Sequence, residues 1–155
     1  MTERRIEYVP LDEVMPAVRN PRSHQNLEDV KASIRRSGFV ESAVHDGRTG
    51  RIVAGHGRLE ALAAMHASGE PAPDGVTESD GRWLMPLTYG WQSADDGEAE
   101  RMVVWLNRAP ETGGWDDQEL AALLTDLHQT EAGLVGSGFD DEALASLLHR
   151  MGTIQ

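Results

Sequence analysis

An α+β fold is what the sequence predicts: a small mixed sheet flanked by helices, followed by a C-terminal helical segment. Three observations point to it. Strand-like stretches fall within roughly the first 90 residues, amphipathic helical patterns dominate the last 60, and 155 residues suit one core of ordinary size.

Ile6 to Val9 reads as a short strand ending at Pro10, and Leu11-Asp-Glu-Val-Met15 as one helical turn leaving it. Asn20 precedes a proline, which disfavours the α region, so Arg19-Asn-Pro-Arg22 is a loop presenting two arginines. Asn26 caps a helix that carries Leu27, Val30 and Ile34 on one face and stops at Gly38. Val40 to His45 reads as a strand. Asp46-Gly47 and Thr49-Gly50 turn it back into Ile52-Val53 as a hairpin. A second helix runs from about Gly57 to Ala67. Ser68 to Arg82, rich in Gly, Pro and Ser, reads as a mobile surface loop, and Trp83 to Tyr89 as a strand broken or edged at Pro86. Three helices follow. One covers about Gly97 to Asn107, one starts at Asp116 with an Asp-x-x-Glu capping pattern, and one starts near Asp140. Their apolar faces carry Ala99, Met102, Val103 and Leu106; Leu120, Leu123, Leu124 and Leu127; then Leu144, Leu147, Leu148 and Met151. The four tryptophans (83, 91, 105 and 115) read as packing between sheet and helices, with stacking on a base as the alternative. This divides the chain into a core at 1–94, containing the 68–82 loop, and a helical segment at 95–155 packed on it.

Charge is unevenly placed. The net charge is −12; residues 1–58 hold 10 Lys/Arg against 8 Asp/Glu, and residues 59–155 hold 4 against 18. An anionic ligand is therefore met by the N-terminal part, while the acidic remainder is a solvated or protein-facing surface. The absence of cysteine excludes thiol catalysis and thiolate metal sites. No HxxxH or HxH pair exists, so no metal site is expected. Nothing reads as a signal or membrane segment, which predicts a soluble cytoplasmic protein.

The stretch richest in chemistry is Arg51-Ile-Val-Ala-Gly-His-Gly-Arg-Leu-Glu-Ala-Leu-Ala63, which reads as strand, glycine turn and helix. A helix starting after such a turn aims unpaired N–H groups and its positive dipole end at one spot. Gly55 and Gly57 let the backbone approach a bulky anion, and His56 and Arg58 add donors and charge. That suits a phosphate. The bland alternative is an ordinary strand-to-helix connection.

The order of motifs resembles the N-terminal domain of the ParB/sulfiredoxin superfamily. Asn20-Pro21-Arg22, the Val30 to Val40 segment and the Ile52 to Leu62 box match in family order. Glu98 to Arg108, with Gly114-Trp-Asp116 and Gly138-Phe-Asp140, resembles ParB-like domains fused to phage and prophage DNA methyltransferases. The resemblance implies a nucleotide-binding accessory protein. Its ligand would be a nucleoside di- or triphosphate (CTP or ATP/ADP), with Mg an optional companion, held by Asn20, Arg22, Gly55, His56, Gly57 and Arg58. It extends the partners to DNA through the basic N-terminal part, a DNA methyltransferase or other phage protein, and a second copy of the chain. Where chromosome-partitioning relatives have Gly-Glu-Arg-Arg, this chain has Gly55-His-Gly-Arg58, a departure that bears on CTP-clamp behaviour.

Each candidate residue keeps a plain alternative. Arg58 opposes the helix dipole, so it meets either an anion or a nearby carboxylate. His56 donates to phosphate or carries a proton, or else bonds local backbone. Arg22 closes over the site or is solvated. Glu41 stands near the ligand or faces outward from a strand. Asn107-Arg108 lies near the ligand or caps a helix end. His56 and Glu41 are the catalytic candidates for an enzyme on this scaffold: a slow NTPase, a small-molecule kinase or, less in keeping with the residues, a nuclease. A non-catalytic adaptor is the third reading.

Overall fold

The computed structural model describes residues 3–20 and 26–152, with residues 109–113 described by backbone alone. Arg22 therefore lies outside the described residues, as does His24. Five strands form one mixed sheet: β1 (Arg5–Pro10), β2 (Ala43–Asp46), β3 (Arg51–Ala54), β4 (Thr77–Ser79) and β5 (Arg82–Trp91). Their order is β1-β5-β2-β3, with β4 also on β5. β1 runs antiparallel to β5 from Arg5↔Tyr89 to Pro10↔Leu84, whereas β2 runs parallel to β5 from Ala43↔Leu87. The helices are α1 (Leu27–Ser37), α2 (His56–Ala67), α3 (Asp96–Gly113), α4 (Asp117–His128) and α5 (Asp141–Arg150). The α+β reading holds.

Several local expectations are corrected. β5 is not broken at Pro86. The proline sits at the centre of a ten-residue strand opposite Tyr8. On the other side of β5, β4 pairs residues 82–84 and β2 pairs from Leu87 onward, so Pro86 falls in the gap between them. A residue without N–H can occupy such a gap in a central strand. The 68–82 stretch contains β4, which turns into β5 through Asp80 and Gly81, both at positive φ. It is also tied back to the core, since Phe39 N–H donates to the Asp74 carbonyl at 2.7 Å. Composition reads as loop there because the pairing partner is distant in sequence. Asn26 occupies the N-cap of α1, but its side chain makes no capping hydrogen bond.

The main core lies between the sheet and α1 and α2. Trp83, Met85, Leu87, Ala43 and Ile52 from the strands meet Ile34, Ala61, Leu62 and Met65 from the helices. α3 packs against β3, burying Val103 and Val53. A second, smaller core joins Leu120, Ala121 and Leu124 of α4 to Leu134 and to Leu144 and Leu147 of α5. Leu123, expected on the apolar face of α4, is exposed, and Ala121 takes the inner position. Of the tryptophans, only Trp83 is fully buried; Trp105 and Trp115 are exposed, and Trp115 meets the edge of Phe139.

Candidate functional site

The strand–turn–helix connection begins where β3 ends at Ala54. Gly55 turns the chain at φ 102°, and its Cα packs so closely on β2 that a Cβ there would lie 2.5 Å from the Ala43 Cβ. Only glycine meets both demands. α2 begins at His56, one residue earlier than the sequence suggests, so His56, Gly57 and Arg58 fill its first three positions. The N-cap has no side chain and the first turn has no acid. By contrast, α3, α4 and α5 start at Asp95, Asp116 and Asp140, whose carboxylates accept the N–H groups of Glu98, Glu119 and Ala143 at 2.8, 3.1 and 2.7 Å. A Cβ built on Gly57 would meet no atom within 4 Å. Glycine is not demanded there by the fold.

His56 is 9% exposed, and its Nε2 accepts the Ala17 N–H at 3.0 Å. With that lone pair engaged, the ring proton belongs on Nδ1. Two more bonds hold the same segment to β3, Ile52 N–H to the Met15 carbonyl at 2.8 Å and Arg51 Nη1 to the Pro16 carbonyl at 2.9 Å, and Met15 and Arg51 pair as a parallel β-bridge. These bonds fix the 14–17 backbone beside the start of α2. Val18, Arg19 and Asn20 follow directly. A cleft of about 180 Å³ lies between Ala17–Arg19, Arg51–Val53 and the Asp96, Ala99, Glu100 and Val103 face of α3. The ion pair of Arg19 with Glu100, at 3.6 Å, joins two of its walls.

Arg58 leaves α2 toward the start of β2. Its guanidinium lies 3.4 Å from the Ser42 carbonyl and 3.4 Å from Glu41 Oε1. The Arg58 side chain is 28% exposed and that of Glu41 79%. Glu41 precedes β2 in a bend, so it is not a strand residue as the sequence suggested. The structure thus brings His56, Gly57, Arg58, Glu41 and the 17–20 segment to one end of the sheet. Asn107-Arg108 lies mid-helix, not at a helix end, because α3 continues to Gly113; the Asn107 amide donates to the Val103 carbonyl at 2.9 Å. Among the described residues no group of three or more His, Asp or Glu could hold a metal ion, and no helix is long and apolar enough to cross a membrane.

Sequence reasoning missed one polar cluster, at the turn end of the β2–β3 hairpin. Asp46 is fully buried, and its carboxylate accepts from Ser93 N–H at 2.9 Å, the Ser93 hydroxyl at 2.7 Å and Arg48 N–H at 3.0 Å. Arg48 continues to the Ser93 hydroxyl at 2.7 Å and to Asp96 at 2.6 Å. Burial alone would raise the Asp46 carboxyl. The Ser93 and Arg48 bonds outweigh it and hold the group below its ordinary 3.8. Asp46-Gly47 reads as turn chemistry, and nothing local to it points to Ser93. Next to Asp46, His45 stacks on Tyr89 at 4.0 Å, and burial pushes its imidazole below the usual 6.5.

No family model matches the chain, and no curated protein matches it. Solved structures do. The C-terminally truncated chromosome-partitioning protein ParB from Caulobacter crescentus, complexed with CTP-γ-S, superposes with a TM-score of 0.63 at 18% identity, over 96% of this chain and 79% of that one. The fold is ParB-like. A Pnob8-like ParB-N domain also aligns, at 14% identity over 99% of this chain and 47% of that one, with a TM-score of 0.38. The glycine elbow lies between β3 and α2, at the C-terminal end of β3.

Proposed function

We propose that the chain binds the phosphates of a nucleoside di- or triphosphate at the Gly55–Arg58 turn and serves as an accessory protein in phage or prophage DNA metabolism. One observation carries the reading: the first turn of α2 has a side-chain-free cap, no acid, open space at Gly57 and a basic residue at Arg58. The positive dipole end of such a helix favours an anion. The residues fit a phosphate, because the backbone at Gly57 can be approached as closely as glycine allows. The CTP-γ-S held by the Caulobacter ParB supports a nucleotide, with CTP and ATP or ADP both within range. Magnesium would accompany the phosphates.

Glu41 competes for Arg58. Its carboxylate is solvated and sits at 3.4 Å, a pair worth under about 1 kcal/mol. A phosphate, carrying more charge and matching the guanidinium fork, displaces it. Binding also reaches the 14–20 segment, because His56 joins the elbow to Ala17. That link offers a route by which nucleotide could switch association with DNA, a DNA methyltransferase or another phage protein.

Calorimetry with CTP, ATP, ADP and GTP, with and without magnesium, tests the reading. One nucleotide binds, and Arg58→Ala weakens it at least tenfold. Wild-type protein inert to all four at millimolar concentration overturns it. Binding is favoured over catalysis because His56 Nε2 already holds the Ala17 N–H, so proton transfer through that atom requires the segment to be released.

A further inference from the structure

A second concave surface lies far along the chain from the elbow. The turn-rich segment joining α4 to α5 buries Leu134 in the smaller core and turns Val135 outward, 66% exposed. It then lies against α1, where a Cβ on Gly136 would stand 3.0 to 3.1 Å from the Arg36 stem. Between this segment, α1 and the start of α5 runs a groove of about 600 Å³. Ala32, Val135 and Phe139 are among its apolar walls, and Asp29, Asp140, Asp141 and Glu142 line it too; among the described residues no Lys, Arg or His does.

Some of this acidity has a local use. Asp140 caps α5, and Asp29, Asp141 and Glu142 lie in first turns, complementing helix dipoles. Asp141 also stands 3.2 Å from His128 Nε2. Two helix ends supply about half a positive charge each, and Arg36, whose stem packs on Gly136, supplies one more against four carboxylates, which leaves about two negative charges on the groove. An anion is excluded on that count. A bare cation leaves the apolar walls uncovered.

We propose that this groove docks a peptide segment of a partner protein in which apolar side chains are flanked by Arg or Lys. The apolar side chains cover Val135 and Phe139, and the basic flanks meet Asp29, Asp141 and Glu142. The proposal stands apart from nucleotide binding.

Fluorescence anisotropy on the full chain tests it, using a labelled hexapeptide with two central leucines and four flanking basic residues. Glu-flanked and Ser-centred versions serve as controls. The basic, leucine-centred peptide binds; both controls bind at least tenfold more weakly. Asp141→Asn/Glu142→Gln, which keeps the Asp140 cap, lowers affinity at least tenfold with only the small fall in melting temperature expected from the lost dipole complement; Val135→Ser lowers affinity several-fold with an unchanged melting temperature. Failure of the basic peptide to bind at millimolar concentration overturns the proposal. So does equal binding by either control, or undiminished binding by both variants.

Discussion

Gly55 and Gly57 stand two residues apart and carry opposite burdens. Gly55 is imposed by the fold, through its φ of 102° and its packing on Ala43. Gly55→Ala combines left-handed strain with overpacking and should cost about 3 kcal/mol, read in a urea melt. Gly57 has ordinary helical surroundings and open space. Gly57→Ala should leave stability unchanged or raise it by up to about 1 kcal/mol, yet weaken nucleotide binding at least tenfold by adding a methyl at the approach face. An alanine variant that binds as wild type removes Gly57 from the site. The Arg58–Glu41 pair adds a finer test. Glu41→Gln frees the guanidinium from the carboxylate 3.4 Å away and should raise nucleotide affinity severalfold by calorimetry; a fall would mean that Glu41 itself contacts the ligand.

At the scale of elements, the β2–β3 hairpin is joined to the β5–α3 connection through Asp46, Ser93, Arg48 and Asp96. Its pH response has two windows. The folded state depresses His45, chiefly by burial, with Asp46 and Glu7 opposing. The unfolded chain therefore binds that proton first, so the stability is present above about pH 6.5 and is lost as pH falls through the folded value. Asp46 is depressed as well; its contribution is present above about pH 3.8 and is lost on further acidification. Thermal melts across pH 3 to 8 should show His45→Phe flattening the upper window and Asp46→Asn the lower. Parallel curves for wild type and His45→Phe would sink the first assignment. The capped helices α4 and α5 were legible because their signals are local: Asp116 and Asp140 stand at N-caps ahead of apolar residues spaced three and four apart. β4 and the unbroken β5 were not, since Thr77–Ser79 becomes a strand only on meeting Arg82–Leu84.

Over the whole molecule the charge of −12 and the two cores decide what partners are plausible. The excess acid lies beyond residue 58, and about half of it falls on residues 116–152, which form the second core. Duplex DNA is repelled by that half, and only the N-terminal basic residues can offset it. Alone, the chain should bind random duplex weakly and release it by about 200 mM salt in an anisotropy titration. Tight, salt-resistant binding would place a basic surface where the sequence offers none.

The sequence alone determined the fold class, the capped C-terminal helices, the charge division and the position of the glycine elbow. Each of these depends on residue spacing within one segment, where backbone geometry and amphipathic period are the controlling physics. Tertiary structure decided what those residues touch. It gave His56 to Ala17 and Arg58 to Glu41, buried Asp46 beneath Ser93, and set α1 beside the α4–α5 turn to make a groove. Those contacts join residues 17 to more than 100 positions apart, and the cost of closing such loops is met only when the whole core assembles.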